Sequence, residues 1–158
     1  MHMNNQVMID LSTEAVTEGF ARVLARCLTP PLVLTFSGDI GAGKTTLIRA
    51  MIRALGIQTA IKSPTFSLVE TYQSTLGHIH HFDLYRIVDE AELDYIGFRD
   101  YFRDNAICCI EWPEQAPTYL LQTDLRLTLS VKGAGRVLHC SAMSAAGEAV
   151  LSCLIGEL

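Results

Sequence analysis

Gly38-Asp39-Ile40-Gly41-Ala42-Gly43-Lys44-Thr45 decides how this chain is read. The eight residues fit G-x-x-x-x-G-K-[ST]. In such a loop the glycines let successive backbone N–H groups curl inward on anionic oxygens at a helix N-terminus. The pattern assigns the Lys44 ammonium to the β- and γ-phosphates of a nucleoside triphosphate and the Thr45 hydroxyl to Mg²⁺. The expected nucleotide-binding residues are Gly38, Asp39, Ile40, Gly41, Ala42, Gly43, Lys44, Thr45 and Thr46.

The flanks agree with the loop. Leu32-Val33-Leu34-Thr35-Phe36-Ser37 is short, apolar and β-favouring, as a buried parallel strand should be. After the loop, Leu47, Ile48, Met51, Ile52 and Leu55 fall on one helical face, and Gly56 stands where a helix C-cap belongs. Strand, loop and helix come in the order the motif requires.

The 158 residues predict a single P-loop ATPase domain over 1–158, large enough to bury a core without staples, with residues 1–5 as a tail of no assigned function. Hydrophobic content of 49% and charged content of 18% describe a globular chain. The net charge of −5, three lysines and scattered arginines argue against a long nucleic-acid footprint. Five cysteines without zinc spacing, two of them adjacent in an apolar run, predict reduced, core-filling thiols and a cytoplasmic setting. The chain shows no signal-peptide pattern, and no apolar run approaches the roughly 20 residues that span a bilayer.

Along the chain, Gln6–Leu11 predicts a short edge strand. Ser12 or Thr13 is the expected cap of a helix that carries Val16, Phe20, Val23, Leu24, Cys27 and Leu28 inward and stops at Thr29-Pro30-Pro31. A loop through Pro64 feeds a strand over 67–72, a turn over 73–77 and a returning strand over 78–83. This hairpin directly after the first βα unit makes the sheet mixed. A helix capped by Asp89 is interrupted at Gly97, and Phe98, Tyr101 and Phe102 follow at helical spacing. Ala106–Ile110 reads as a buried strand ending in Glu111, and Leu125–Val131 with Val137–Met143 as an antiparallel pair. Ala149–Ile155 is a short helix or strand. The expected fold is α/β: a three-layer P-loop sandwich with a mixed central sheet and antiparallel C-terminal strands.

Phosphoryl transfer to water needs a metal on the phosphates and a group that orients the attacking water. Glu111, at the C-terminal tip of a buried strand, has the form of a metal-side carboxylate, and Asp83, at the end of the preceding strand, is the second candidate. With Lys44, these are the expected catalytic residues; Thr45 and Glu111 are the expected metal ligands. Ser63 and Thr65, in Lys62–Phe66, occupy a place where P-loop proteins carry a mobile switch. His78, His80 and His81 do not share one strand face and read as ordinary strand histidines. Arg86 is either a phosphate contact or a surface ion-pair partner, and Trp112 either core or a contact surface.

Four segments together resemble the TsaE (YjeE) ATPases of tRNA threonylcarbamoyladenosine (t6A) biosynthesis. Gly38–Thr46 is similar to the family's GDxGAGKTT loop and Ser63-Pro64-Thr65-Phe66 to its SPTF switch. His81-Phe82-Asp83-Leu84-Tyr85-Arg86 is similar to HFDLYR, and Ile110-Glu111-Trp112 to IEW. The resemblance implies a weak Mg²⁺-dependent ATPase that works with a TsaB–TsaD heterodimer. In that reading the partner transfers the threonylcarbamoyl group to adenosine 37 of tRNAs reading ANN codons, and this chain enables its multiple turnover. It implies tRNA contact only through that complex, and no membrane. By motif correspondence Lys44 binds phosphate, Thr45 and Glu111 hold magnesium, Asp83 assists the water or the metal shell, and Ser63 and Thr65 switch. The Gly133–Arg136 turn is a candidate for the adenine.

A small-molecule P-loop kinase is the alternative, but after Glu111 only Arg126, Lys132 and Arg136 are basic, too few for an arginine-rich lid. A nucleotide-binding module that never hydrolyses fits poorly with the pair Asp83 and Glu111.

Overall fold

Leu32, Leu34, Thr35 and Phe36 are buried, and strand β2 (Leu32–Ser37) is the central strand of the molecule's sheet. A computed structural model describes residues 5–57, 61, 68–103, 105–119 and 122–158. Its remaining strands are β1 (Gln6–Leu11), β3 (Val69–Ser74), β4 (Gly77–Asp83), β5 (Ile107–Glu111), β6 (Leu125–Lys132) and β7 (Gly135–Ala142). They form one seven-stranded sheet in the order β1-β7-β6-β2-β5-β4-β3. β2 runs parallel to β5 and β6, and β4 parallel to β5. The pairs β3/β4, β6/β7 and β1/β7 are antiparallel. The sheet is mixed, as the hairpin after the first βα unit requires.

Helices α1 (Glu14–Cys27), α2 (Lys44–Ala54) and α5 (Ala145–Glu157) cover one face of the sheet. In α2, Leu47, Ile48, Met51 and Ile52 are fully buried, each contributing about 1.5–3 kcal/mol by leaving water. Gly56 takes φ +91° just beyond the helix, a conformation that costs glycine little. On the other face, Phe82, Cys108 and Ile110 pack against Leu93, Phe98 and Ala116. Among the described residues the cover there comprises two single turns, α3 (Glu92–Tyr95) and α4 (Phe98–Tyr101), and the segment 112–119. Gly97, at φ +67°, separates the turns where the sequence shows the interruption.

Thr13 is the α1 cap, its Oγ1 accepting from the Val16 N–H at 3.2 Å. Val16 itself is 41% exposed, so the predicted inward stripe begins one turn later, at Phe20. The hairpin turn is tighter than expected: β3 runs to Ser74 and β4 starts at Gly77, with Ser74 Oγ taking the Leu76 N–H at 3.1 Å. The C-terminal element is a helix that begins four residues earlier than expected. Ser144 caps it by accepting from the Gly147 N–H at 3.0 Å, and donates to Asp124 Oδ1 at 2.6 Å. Asp124 Oδ2 in turn accepts from the Val33 N–H at 2.7 Å. The start of β6, the α5 cap and β2 are thereby tied together.

The cysteines require a correction. Cys27, on α1, and Cys153, on α5, form a disulfide, whereas Cys108, Cys109 and Cys140 are free and buried. The pairing crosses 126 residues and follows from the packing of the first helix on the last, which spacing in the chain does not display. No described helix is long and apolar enough to cross a membrane.

Candidate nucleotide and metal site

The loop after β2 is built around two steric facts. A Cβ at Gly38, where φ is +143°, would lie 2.4 Å from the Leu129 carbonyl oxygen, so the loop leaves the strand where only glycine fits. Gly43, at φ +99°, is the first cap position of α2 and supplies no side-chain hydrogen bond. Helices α1 and α5 both begin with a hydroxyl cap and an acidic residue in the first turn; α2 has neither. Its first-turn amides and the positive end of its dipole are therefore left for an outside anion.

Lys44 is 95% buried, so its ammonium needs partners. It donates to the Gly38 carbonyl oxygen and lies over the Trp112 ring, 3.7 Å from the centroid. Burial holds its pKa below the ordinary lysine value, against the opposing pull of Glu111, Glu114, Asp83 and Asp39. Trp112 reaches this position because its backbone takes φ +59° immediately after β5.

Parallel pairing brings the acids together. Phe36 of β2 stands opposite Glu111 of β5, and Glu111 opposite Asp83 of β4, so both carboxylates arise at the C-terminal tips of adjacent strands. Thr45 Oγ1, in the first turn of α2, donates to Glu111 Oε1 at 2.8 Å. His81 Nε2 meets Glu111 Oε2 at 2.7 Å from the neighbouring strand, with both side chains buried. Asp83 Oδ1 accepts from the Tyr85 N–H at 3.1 Å. Burial raises the Asp83 pKa above the ordinary carboxylate value; the Tyr85 N–H opposes this and the Glu111 charge adds to it.

Arg136, at the start of β7, reaches back to the loop. Its Nε donates to the Ala42 carbonyl oxygen at 3.1 Å and its Nη2 to that of Gly41 at 3.1 Å. Beside it is a cavity of about 270 Å³ bounded by Thr13, Glu14 and Thr17 of α1, by Gly43 and Thr46, and by Gly135. The Gly133–Arg136 turn thus borders a space next to the loop. Asp39, Ile40 and Gly41 are exposed at the loop's apex and Thr46 in the first turn of α2.

The adjacent Lys44 and Thr45 and the distant Asp83 and Glu111 come together at the C-terminal ends of β2, β4 and β5. Ser63 and Thr65 lie outside the described residues. Arg86 is exposed in the turn after β4. His80 Nδ1 pairs with Thr71 Oγ1 at 2.9 Å and His78 Nε2 with Gln73 Oε1 at 3.1 Å, both as ordinary strand residues. His81 departs from that reading, because a cross-strand diagonal puts it on Glu111. Arg136 was legible only as part of a turn. Its grip on the loop carbonyls leaves no trace in residue spacing.

One hydroxyl and two carboxylates are hard oxygen donors of the type Mg²⁺ prefers. No group of three His, Cys, Asp or Glu forms a metal cage among the described residues. Such a donor set fits an ion that completes its shell with phosphate oxygens and water.

A family model described as "Threonylcarbamoyl adenosine biosynthesis protein TsaE" matches residues 11–138. Among curated relatives, a Haemophilus influenzae tRNA threonylcarbamoyladenosine biosynthesis protein TsaE is 39% identical over 84% of this chain and 85% of its own. The Bacillus subtilis protein of the same name is 36% identical over 75% and 73%. Among solved structures, that of Bacillus subtilis YdiB superposes with a TM-score of 0.82 at 27% identity, covering 99% of each chain.

Proposed function

Because the chain belongs to the TsaE family, we propose that it is the ATP-hydrolysing subunit of t6A formation. In this reading it works with a TsaB–TsaD heterodimer, which carries out the transfer to adenosine 37 of tRNAs reading ANN codons. ATP hydrolysis here lets that heterodimer turn over repeatedly. The chain alone is a weak ATPase, is not the transferase, and meets tRNA only through the complex, in keeping with its net charge of −5.

The observation that carries the reading is the 2.8 Å bond from Thr45 to Glu111, which joins the phosphate loop to the strand-tip carboxylate. Loop amides and the uncapped α2 end bind the phosphates. Lys44 leaves the Gly38 carbonyl for the β- and γ-oxygens. Thr45 and Glu111 would hold Mg²⁺, which when bound would neutralise charge on the phosphates. Asp83, beside Glu111 at the tip of β4, orients the attacking water and takes its proton. The water oxygen bonds to the γ-phosphorus as the bond to the β,γ-bridging oxygen breaks, giving ADP and phosphate. Ser63 and Thr65 are proposed to answer to the γ-phosphate. The cavity beside Arg136 is proposed to receive the base.

The test is ATP turnover by the chain alone, then with purified TsaB–TsaD and tRNA. Stimulation by the heterodimer supports the reading; stimulation by a small phosphate acceptor instead would replace it with a kinase.

A further inference from the structure

His81 is fully buried on β4, opposite Cys109 and two residues before the Asp83–Glu111 pair. Its same-face neighbours are the buried, apolar Ile79 and Cys109, Asp83 two residues on, and Glu70 opposite it on β3. The imidazole brings a cost: Nδ1 is buried with no hydrogen-bond partner among the described residues. Leaving such a group unpaired costs about 1–3 kcal/mol. What it supplies in return is one bond, from Nε2 to Glu111 Oε2 at 2.7 Å.

That bond divides the carboxylate. Thr45 occupies Oε1 and His81 occupies Oε2, so two contacts from different elements set the plane of the Glu111 carboxylate. Without His81, Oε2 would be a buried carboxylate oxygen lacking its donor, and Thr45 alone would hold the group, leaving its plane free to rotate about that one contact.

We propose that His81 is a positioning residue: by pinning Oε2 it presents Oε1 beside Thr45 in the orientation that Mg²⁺–nucleotide requires. The proposal rests on the reading of Glu111 as the metal-side carboxylate. His81 touches neither nucleotide nor metal in it, and acts only through Glu111.

The experiment measures ATP affinity of the full chain with Mg²⁺ and with EDTA, together with the Mg²⁺ dependence of turnover. His81→Gln places an amide nitrogen where Nε2 lies; His81→Asn places it where Nδ1 lies. The Asn variant is expected to lose about tenfold or more of the Mg²⁺-dependent gain in ATP affinity and to need correspondingly more Mg²⁺ for half-maximal turnover. Its affinity in EDTA should stay within about twofold of the parent, since loop and Lys44 are untouched. His81→Gln should recover most of the gain. If the Asn variant fails to fold, His81→Leu, which buries no stray amide, carries the same expectation.

Glu111→Gln serves as the reference. If it loses the Mg²⁺-dependent gain while His81→Asn or His81→Leu keeps it, the His81 proposal is overturned and the Glu111 reading stands. If Glu111→Gln keeps the gain, the Glu111 reading fails and takes this proposal with it. Equal losses in the Gln and Asn variants would overturn the donor geometry claimed for Nε2.

Discussion

The Lys44 ammonium rests on the face of Trp112, 3.7 Å from the ring centroid, with the Gly38 carbonyl oxygen as its hydrogen-bond acceptor. Both are weaker partners than a phosphate oxygen, so under the proposed function a nucleotide should take the ammonium from them. Trp112 is the only tryptophan of the chain, and its emission should therefore change on adding ATP. Lys44→Ala removes a charged donor worth about 2 kcal/mol and should weaken ATP binding by about 30-fold. Equilibrium titration checks this; unchanged affinity would sink the loop assignment.

Glu111→Gln keeps the size of the side chain and an acceptor for either neighbour but removes the charge. Nucleotide binding in EDTA should survive, while the hydrolysis rate should fall by about 100-fold or more, the scale expected when one preorganised transition-state contact is lost. A rate assay at saturating ATP decides the matter. Normal turnover would move the central role to Asp83.

Asp83 carries a pH signature. Its pKa is raised in the fold, chiefly by burial, so the folded chain holds this proton more readily than the unfolded one. Stability is then favoured at low pH and is lost as pH rises from the ordinary carboxylate range through the raised value. Asp83→Asn preserves an acceptor for the Tyr85 N–H and removes the charge. It should raise the melting temperature at pH 7, with the gain fading near pH 4, and should abolish turnover. Thermal melts at the two pH values without nucleotide or metal test the first part; a drop in melting temperature at pH 7 would contradict it.

Gly147 gives a test of the fold alone. Glycine to alanine inside a helix ordinarily gains about 1 kcal/mol. Here a Cβ would stand 1.8 Å from the Asp124 carbonyl oxygen, where α5 crosses the start of β6. The sign reverses: Gly147→Ala should cost about 2–3 kcal/mol and lower the melting temperature by roughly 5–10 °C. Denaturant titration measures it.

Much of the architecture was legible because it is local. The 3.6-residue spacing of Leu47 to Leu55 identified α2, and the apolar run before Glu111 identified β5 and put a carboxylate at its tip. Gly38 to Thr45 marked the turn between β2 and α2 and the glycines its backbone requires. What was not legible depends on distance in the chain. His81 looks like any strand histidine until β4 is laid beside β5 in register, and only then is Glu111 diagonal to it. Cys27 meets Cys153 only because α1 packs on α5. Val16 has the right period but lies beyond the edge of the core.

Arg136 gives the loop a thermodynamic character of its own. Its guanidinium holds the carbonyl oxygens of Gly41 and Ala42, two residues that otherwise have glycine-rich freedom on either side. With those oxygens tethered to β7, part of the loop's conformational entropy is surrendered when the chain folds, before any ligand arrives. Under the proposed function, phosphate would meet a frame that is already ordered, and more of the interaction energy would be expressed as affinity.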